Sequence, residues 1–281
     1  MKALRTRLQS YQAALLRRLK PLLQFLAVMD ARNVAMSAAA VSYYTLLAIF
    51  PAVAAGMAIV LFVVEPSQVE SAMSALAMYF PREITDVLAA SLGKQAEQHG
   101  SNLLFAAIGI ALALFGASGA MQGMMKSLNT VYQVKETRSW LQLTGLSIAL
   151  TLGVMIVSLG VGILLLCSYD QLVAWTLPQS FAVIVAVLRW PVMALSIHAM
   201  ISLLFHYGAN RAATTMQHIT KGSVIAAAGW LLVTVLFFGY MQSFANFAQS
   251  YSVFAGIVAL MMWFNFGSMS ILIGALCDAK R

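Results

Sequence analysis

Charge is what this sequence has least of. Only 9% of its 281 residues are Asp, Glu, Lys or Arg, nine acids against 17 basic residues. A soluble domain of this length clothes itself with charged side chains at roughly a quarter of its positions. The chain cannot build such a surface, so lipid must be the solvent for much of it. Cysteine is nearly absent too. Cys167 and Cys277 fall near opposite membrane faces in the topology derived below, which excludes a disulfide between them, and neither has metal-ligand company. The four histidines, His99, His198, His206 and His218, lack metal-ligand spacing with Cys, Asp or Glu. There is no Ser–His–acid set, no pair of catalytic carboxylates and no phosphate-cradling glycine loop. The expectation is a protein that is not an enzyme and has neither metal nor cofactor. The net charge of +8 sits at the ends of apolar runs and forms no aromatic-interleaved groove, so no nucleic-acid partner is expected. The basic first 32 residues, followed by a very long apolar run, also do not fit a cleavable signal peptide.

What the chain has in excess is apolar length. Hydrophobic residues make up 61% of it. They gather in six runs, 34–64, 102–125, 141–167, 181–205, 221–244 and 252–276. Each is at least as long as the roughly 20 residues that a helix needs to cross a hydrocarbon core of about 30 Å. The expected fold is all-α, a six-helix membrane domain over 33–281. The first run would span about 46 Å as a continuous helix, so it must tilt, protrude or bend, with Pro51 as the natural hinge.

Orientation follows from lysine and arginine in the connections. Fourteen of the 17 basic residues fall on one side if the spans alternate, and five of the nine acids lie in the 65–100 connection on the other. Both termini are then cytoplasmic, in a multi-pass protein of a bacterial inner membrane. Two segments read as lying on the membrane. In 1–32, Leu4, Leu8, Tyr11, Leu15, Leu19, Leu22 and Leu26 form an apolar stripe beside Arg5, Arg7, Arg17, Arg18 and Lys20. Such a helix suits an anionic inner leaflet, so anionic phospholipid is the expected partner; docking against the protein's own loops is the alternative. Residues 67–98 carry two amphipathic stripes around Tyr79-Phe80-Pro81 and read as a periplasmic helical hairpin. Small residues four apart, among them Gly119 with Gly123 and Ser270 with Gly274, are spaced for close helix packing.

None of the six runs contains Asp or Glu, so a carboxylate relay for coupled transport has no obvious members. Arg189 is the exception to the apolar rule, lying about 12 Å into the fourth run beside Trp190-Pro191. Its partner would be carbonyls, water, a loop acid such as Asp170 or an anionic ligand, for which a lipid phosphate held by the guanidinium fork is the natural candidate, or it snorkels to the headgroups. His198 lies further along the same run and reads as an interhelical hydrogen-bonding group or a ligand. Ser42, Tyr43, Tyr44 and Thr45 place hydroxyls about 12–17 Å into the first run, where they bond across helices or line a wet path. Asn129, Tyr132 and Asn265 are similar cases.

Several of these segments together resemble the YihY/BrkB family of bacterial inner-membrane proteins, long carried under a ribonuclease label. They are Ala40-Val41-Ser42-Tyr43-Tyr44-Thr45-Leu46-Leu47-Ala48-Ile49-Phe50-Pro51, Gly116-Ala117-Ser118-Gly119 followed by Ser127-Leu128-Asn129-Thr130-Val131-Tyr132 with Arg138, and Tyr251, Trp263 and Gly274-Ala275 near the end. The likeness covers roughly residues 30–280. Three positions depart from it: Ser252 where a glycine is usual, Leu276 where an acid follows the final Gly-Ala, and no proline in His206-Tyr207-Gly208-Ala209-Asn210. The resemblance implies a six-span inner-membrane protein concerned with envelope integrity and lipid or lipopolysaccharide handling. The expected function is a transporter or lipid-translocating protein with an anion-binding cavity, and the alternative is a non-transporting scaffold for the envelope. Nuclease chemistry has no metal or acid–base site to rest on.

Overall fold

The computed structural model describes residues 19–63, 103–166, 179–211, 220–244 and 252–279, and every regular element among them is helical. A short helix, α1, covers 19–31. Six long ones follow: α2 (Val34–Val63), α3 (Leu103–Tyr132), α4 (Trp140–Leu166), α5 (Gln179–Leu203), α6 (Lys221–Phe244) and α7 (Ser252–Ala279). Their limits track the apolar runs, because an uninterrupted apolar stretch satisfies its backbone polar groups in lipid only as a helix. The departures are at polar ends. α3 continues to Tyr132 beyond its apolar stretch, and α7 runs through Asp278, which brings a carboxylate into a helix read as free of acids. α2 is one helix across position 51, and α5 is uninterrupted at Pro191. Among the described residues, four helices are long and apolar enough to cross a membrane: Trp140–Gly162, Gln179–Gly208, Lys221–Met241 and Gly256–Ala279. The hairpin expected over 67–98, Cys167, and the arginines Arg5, Arg7, Arg17 and Arg18 lie outside the described residues.

The helix ends are set by local chemistry. Asn33, at φ 51°, turns the chain from α1 into α2, and Ser37 N–H bonds its carbonyl at 2.9 Å. Asparagine tolerates this left-handed conformation better than most residues. Gln133, at φ 57°, ends α3 in a Schellman turn, with Val134 N–H on Asn129 O at 2.9 Å and Gln133 N–H on Thr130 O at 3.2 Å. α4 begins with a capping box. Ser139 N–H donates to Gln142 Oε1 at 3.0 Å, and Gln142 N–H donates to Ser139 Oγ at 3.4 Å. Thr220 and Ser223 do the same for α6, at 3.1 and 3.0 Å.

Each helix from α2 to α7 packs on the next, and α7 returns to α2, closing a ring; α7 also touches α3. α2 with α3 and α6 with α7 are the tightest pairs. On α6, Gly222, Ala226 and Gly229 face Ser270 and Gly274 of α7. A Cβ at Gly222 would strike the Gly274 carbonyl and the Asp278 carboxylate, so the backbones touch there. This is the close approach expected of Ser270 and Gly274, whereas Gly119 has open space around it. Further along the same seam, Trp263 donates its indole N–H to Thr234 Oγ1 at 3.2 Å and stacks on Phe237, with ring centroids 6.3 Å apart.

The buried residues are not spread along the ring. Val34, Ala38 and Val41 open α2; Met125, Leu128 and Val131 close α3; Leu143 and Leu150 open α4. Leu204 and Phe205 follow α5, Ala226 and Ala227 open α6, and Leu272, Ala275 and Leu276 close α7. These are the same ends of all six helices, and Arg32, Lys126, Lys135, Arg138, Arg211 and Lys221 sit there too. Among the described residues at the other end, little is buried. In the apolar windows of the four membrane-length helices at most 17% of residues are buried, and in α5 none is. Among the described residues, the packing and the polar ties of the ring gather at its basic end.

Candidate functional site

Residues from three connections converge at the basic end. Asn129, 5% exposed near the end of α3, donates Nδ2–H to Glu136 Oε2 at 2.8 Å and accepts Asn210 N–H at 2.7 Å. Asn210 extends the network, its Nδ2–H donating to Lys135 O at 2.9 Å and Thr137 Oγ1 at 2.8 Å. Glu136 accepts Arg138 N–H at 3.0 Å, and the Arg138 guanidinium lies 3.8 Å from the same carboxylate. The α3–α4 connection is thereby fastened to the end of α5, 81 residues away along the chain.

Three arginines then cover helix C-termini, where the last carbonyls have no partner within the helix and the dipole favours a cation. Arg32 donates to Val131 O of α3 at 2.5 Å, and Arg138 to Gly208 O at 3.3 Å. Arg211 donates to Phe205 O at 2.7 Å. The latter two carbonyls belong to a π-helical turn, Leu204–Gly208, that ends α5. Its extra residue seats Phe205 edge-on against Tyr132, with centroids 6.3 Å apart. Arg211 caps the other face of Tyr132 at 4.2 Å, a cation–π contact. The Tyr132 hydroxyl is buried with no hydrogen-bond partner among the described residues. Burial pushes this phenol well above its ordinary value; Arg211 opposes the shift and Asp278 adds to it. Asp278 accepts Gly222 N–H at 2.8 Å, so the end of α7 caps the positive end of α6.

Deeper in the ring, Gln122 of α3 reaches toward Thr144 and Ser147 of α4 at 3.5 and 3.3 Å. The sequence-expected residues divide. Asn129 and Tyr132 are brought together in the basic knot. Thr45 and Ser42 donate to carbonyls of their own helix, Val41 O and Ala39 O, both at 2.8 Å, and not across helices. A hydroxyl at these spacings can always find its own i−3 or i−4 carbonyl, which satisfies it without a neighbour. Tyr43 and Tyr44 contact each other edge-on at 5.7 Å and are half exposed on the outside of α2. Asn265 and Ser42 share a shallow groove of about 210 Å³ between α2 and α7.

Arg189 and His198 stand elsewhere, on α5, whose neighbours are α4 and α6. Both are partly buried. Arg189 lies on the less exposed stripe of α5 with Met193, Ile197 and Met200, and the last two pack into the core. Its guanidinium also lies 5.2 Å from the centroid of the Trp190 ring. The structure therefore does not group Arg189 with the tyrosines of α2. Glu136, Arg138, Asn210, Arg211 and Asp278 were not foreseen as site residues. The one local signal for them is arginine, rather than lysine, placed just past helix ends.

The family model described as virulence factor BrkB matches residues 25–280. The chain belongs to the BrkB family. Within it, the chain is 27% identical over 246 residues to a Bacillus subtilis protein named putative ribonuclease-like protein YfkH, covering 86% of this chain and 87% of that one. No solved structure matches the chain. For this BrkB-family chain, membership and the four spanning-length helices define an all-helical, multi-pass membrane protein.

Proposed function

We propose that this BrkB-family protein moves an amphipathic anionic solute, a lipid or lipid-like molecule, across a bacterial inner membrane. The apolar runs within α2 to α7 are its six spans, the second ending near residue 125, and the basic end faces the cytoplasm, as lysine and arginine distribution requires. The observation that carries the reading is the uneven burial of the ring. The cytoplasmic end is packed and laced by polar bonds, whereas α5 has no buried residue in its apolar window. A bundle packed at one side and, among its described residues, little buried at the other fits one state of an alternating-access carrier. Arg189 lies on the α5 stripe that leads to the packed core, a place where a guanidinium holds a phosphate in a bidentate fork. The knot of Asn129, Glu136, Arg138 and Asn210 is the cytoplasmic gate. No catalytic role is proposed, so magnesium-dependent RNA cleavage by the pure protein is expected to be absent.

The test is lipid translocation in proteoliposomes, with fluorescent phospholipid quenched chemically in the outer leaflet. Wild-type protein makes inner-leaflet lipid accessible, and Arg189→Ala lowers the rate. Traces identical to empty vesicles would reject translocation of these lipids and favour the scaffold. Equal rates for wild type and Arg189→Ala would remove Arg189 from the path.

A further inference from the structure

The outer wall of the ring carries a second polar feature that the gate does not use. Between α2 and α3 lies a shallow groove of about 260 Å³, lined by Met36, Ser37, Tyr44, Gly123, Lys126 and Thr130, among others. It faces outward. Met36 is 74% exposed, Tyr44 is half exposed, and Lys126 is exposed. Lys126 makes no ion pair among the described residues, and Thr130 and Ser127 turn their hydroxyl protons back onto Lys126 O and Gly123 O. The ammonium is therefore the strongest donor facing the groove. Gly123 shapes its floor: a Cβ there would stand 3.4 Å from the Tyr44 ring. The wall is graded. Met36, Ala40, Tyr44 and Gly123 offer apolar or ring surface, while Ser37, Thr130 and Lys126 offer polar groups. Lys126 lies two turns before the end of α3, at the basic end, where lysine side chains reach headgroup level.

From this gradient and its single unpaired cation, we infer that the α2–α3 groove binds an anionic phospholipid of the adjoining leaflet, its phosphate on Lys126 and an acyl chain along Tyr44 and Gly123. Charge complementarity selects the occupant: the groove is exposed on the outer wall of a membrane protein, and a net-anionic headgroup satisfies its lone ammonium. The site stands whether or not the chain moves lipid.

The experiment is native mass spectrometry of the full chain in detergent, titrated with phosphatidylglycerol or with phosphatidylcholine of identical chains. Wild type is expected to retain one phosphatidylglycerol in preference to phosphatidylcholine. Lys126→Ala weakens that binding about fivefold, the effect of one lysine worth about 1 kcal/mol at an anionic surface. Lys126→Arg and the control Lys221→Ala leave it in place. Lys126 is exposed and unpaired, so the alanine variant loses no internal contact. Equal retention of the two lipids would overturn the inference. So would unchanged binding in Lys126→Ala, or an equal loss in Lys221→Ala. Competition by glycerol phosphate as effective as that by the lipid would reassign the groove to a free anion. This measurement records binding without movement, so its failure leaves the translocation assay standing, and the absence of translocation leaves this site standing.

Discussion

Asn129→Ala tests the knot most directly. The side chain is almost wholly buried and serves two partners, accepting Asn210 N–H at 2.7 Å and donating to Glu136 at 2.8 Å. Alanine leaves a backbone N–H without its acceptor, at a cost of about 1–3 kcal/mol. It also removes a hydrogen bond to a carboxylate, which would be worth about 1.5–3 kcal/mol if fully desolvated. The Glu136 side chain is 22% exposed, so water recovers part of that, and the total is about 3 kcal/mol. For a chain of this size each kcal/mol moves the midpoint by about 2–4 °C, so the apparent melting temperature in detergent should fall by about 6–12 °C. Intrinsic-fluorescence melting at a fixed scan rate measures it, since membrane proteins unfold irreversibly and the midpoint depends on rate. Glu136→Ala and the double variant complete a cycle on the side-chain bond between Asn129 and Glu136, in which the pair should couple by about 1 kcal/mol or more. A shift under about 1 °C for Asn129→Ala, or strict additivity with Glu136→Ala, would refute the network as a stabilising unit.

Tyr132→Phe should stabilise the protein by about 1 kcal/mol at neutral pH, because it removes a buried hydroxyl without a partner. The same variant tests the raised phenol. A folded-state value above the ordinary 10.0 means that stability is complete below pH 10 and lost as pH rises beyond it, so Tyr132→Phe should flatten the alkaline limb of a melting-versus-pH curve. Gly222→Ala should prevent the α6–α7 backbone contact and yield aggregated protein by size-exclusion chromatography, whereas Gly119→Ala, with open space around it, should elute as wild type. Gln133→Gly should raise the melting temperature by a few degrees, since glycine takes the left-handed turn at φ 57° without the cost of about 1 kcal/mol that a side chain incurs.

The helices were legible because their cause is local: each apolar run must close its own backbone bonds in lipid, and its limits can be read residue by residue. The observed helices lie on the apolar runs, and α3 and α7 continue past theirs into polar residues such as Asn129 and Asp278, which bond outside their own helix. The knot was half legible. Asn129 and Tyr132 stood out as polar residues near an apolar run, but what they touch comes from chain segments up to 81 residues away, a separation that leaves no periodicity. Arg138 and Arg211 were read as topology signals, which hid their hydrogen bonds to the π turn. The hydroxyls of α2 misled in the opposite direction: their spacing suggested neighbours, yet Ser42 and Thr45 are satisfied within one turn.

The one-sided burial of the ring fixes how it can move. A bundle fastened at one end behaves like a set of levers with a common fulcrum. α4, at 27 residues, is about 40 Å long, so a tilt of about 10° about the knot carries its far end by about 7 Å while the residues around Asn129 shift by a fraction of that. Displacements at the far end are therefore large and, among the described residues, separate few buried side chains. At the fastened end even a small displacement must break charge-assisted bonds, so the two ends work as a stiff hinge and a compliant mouth made from the same six rods.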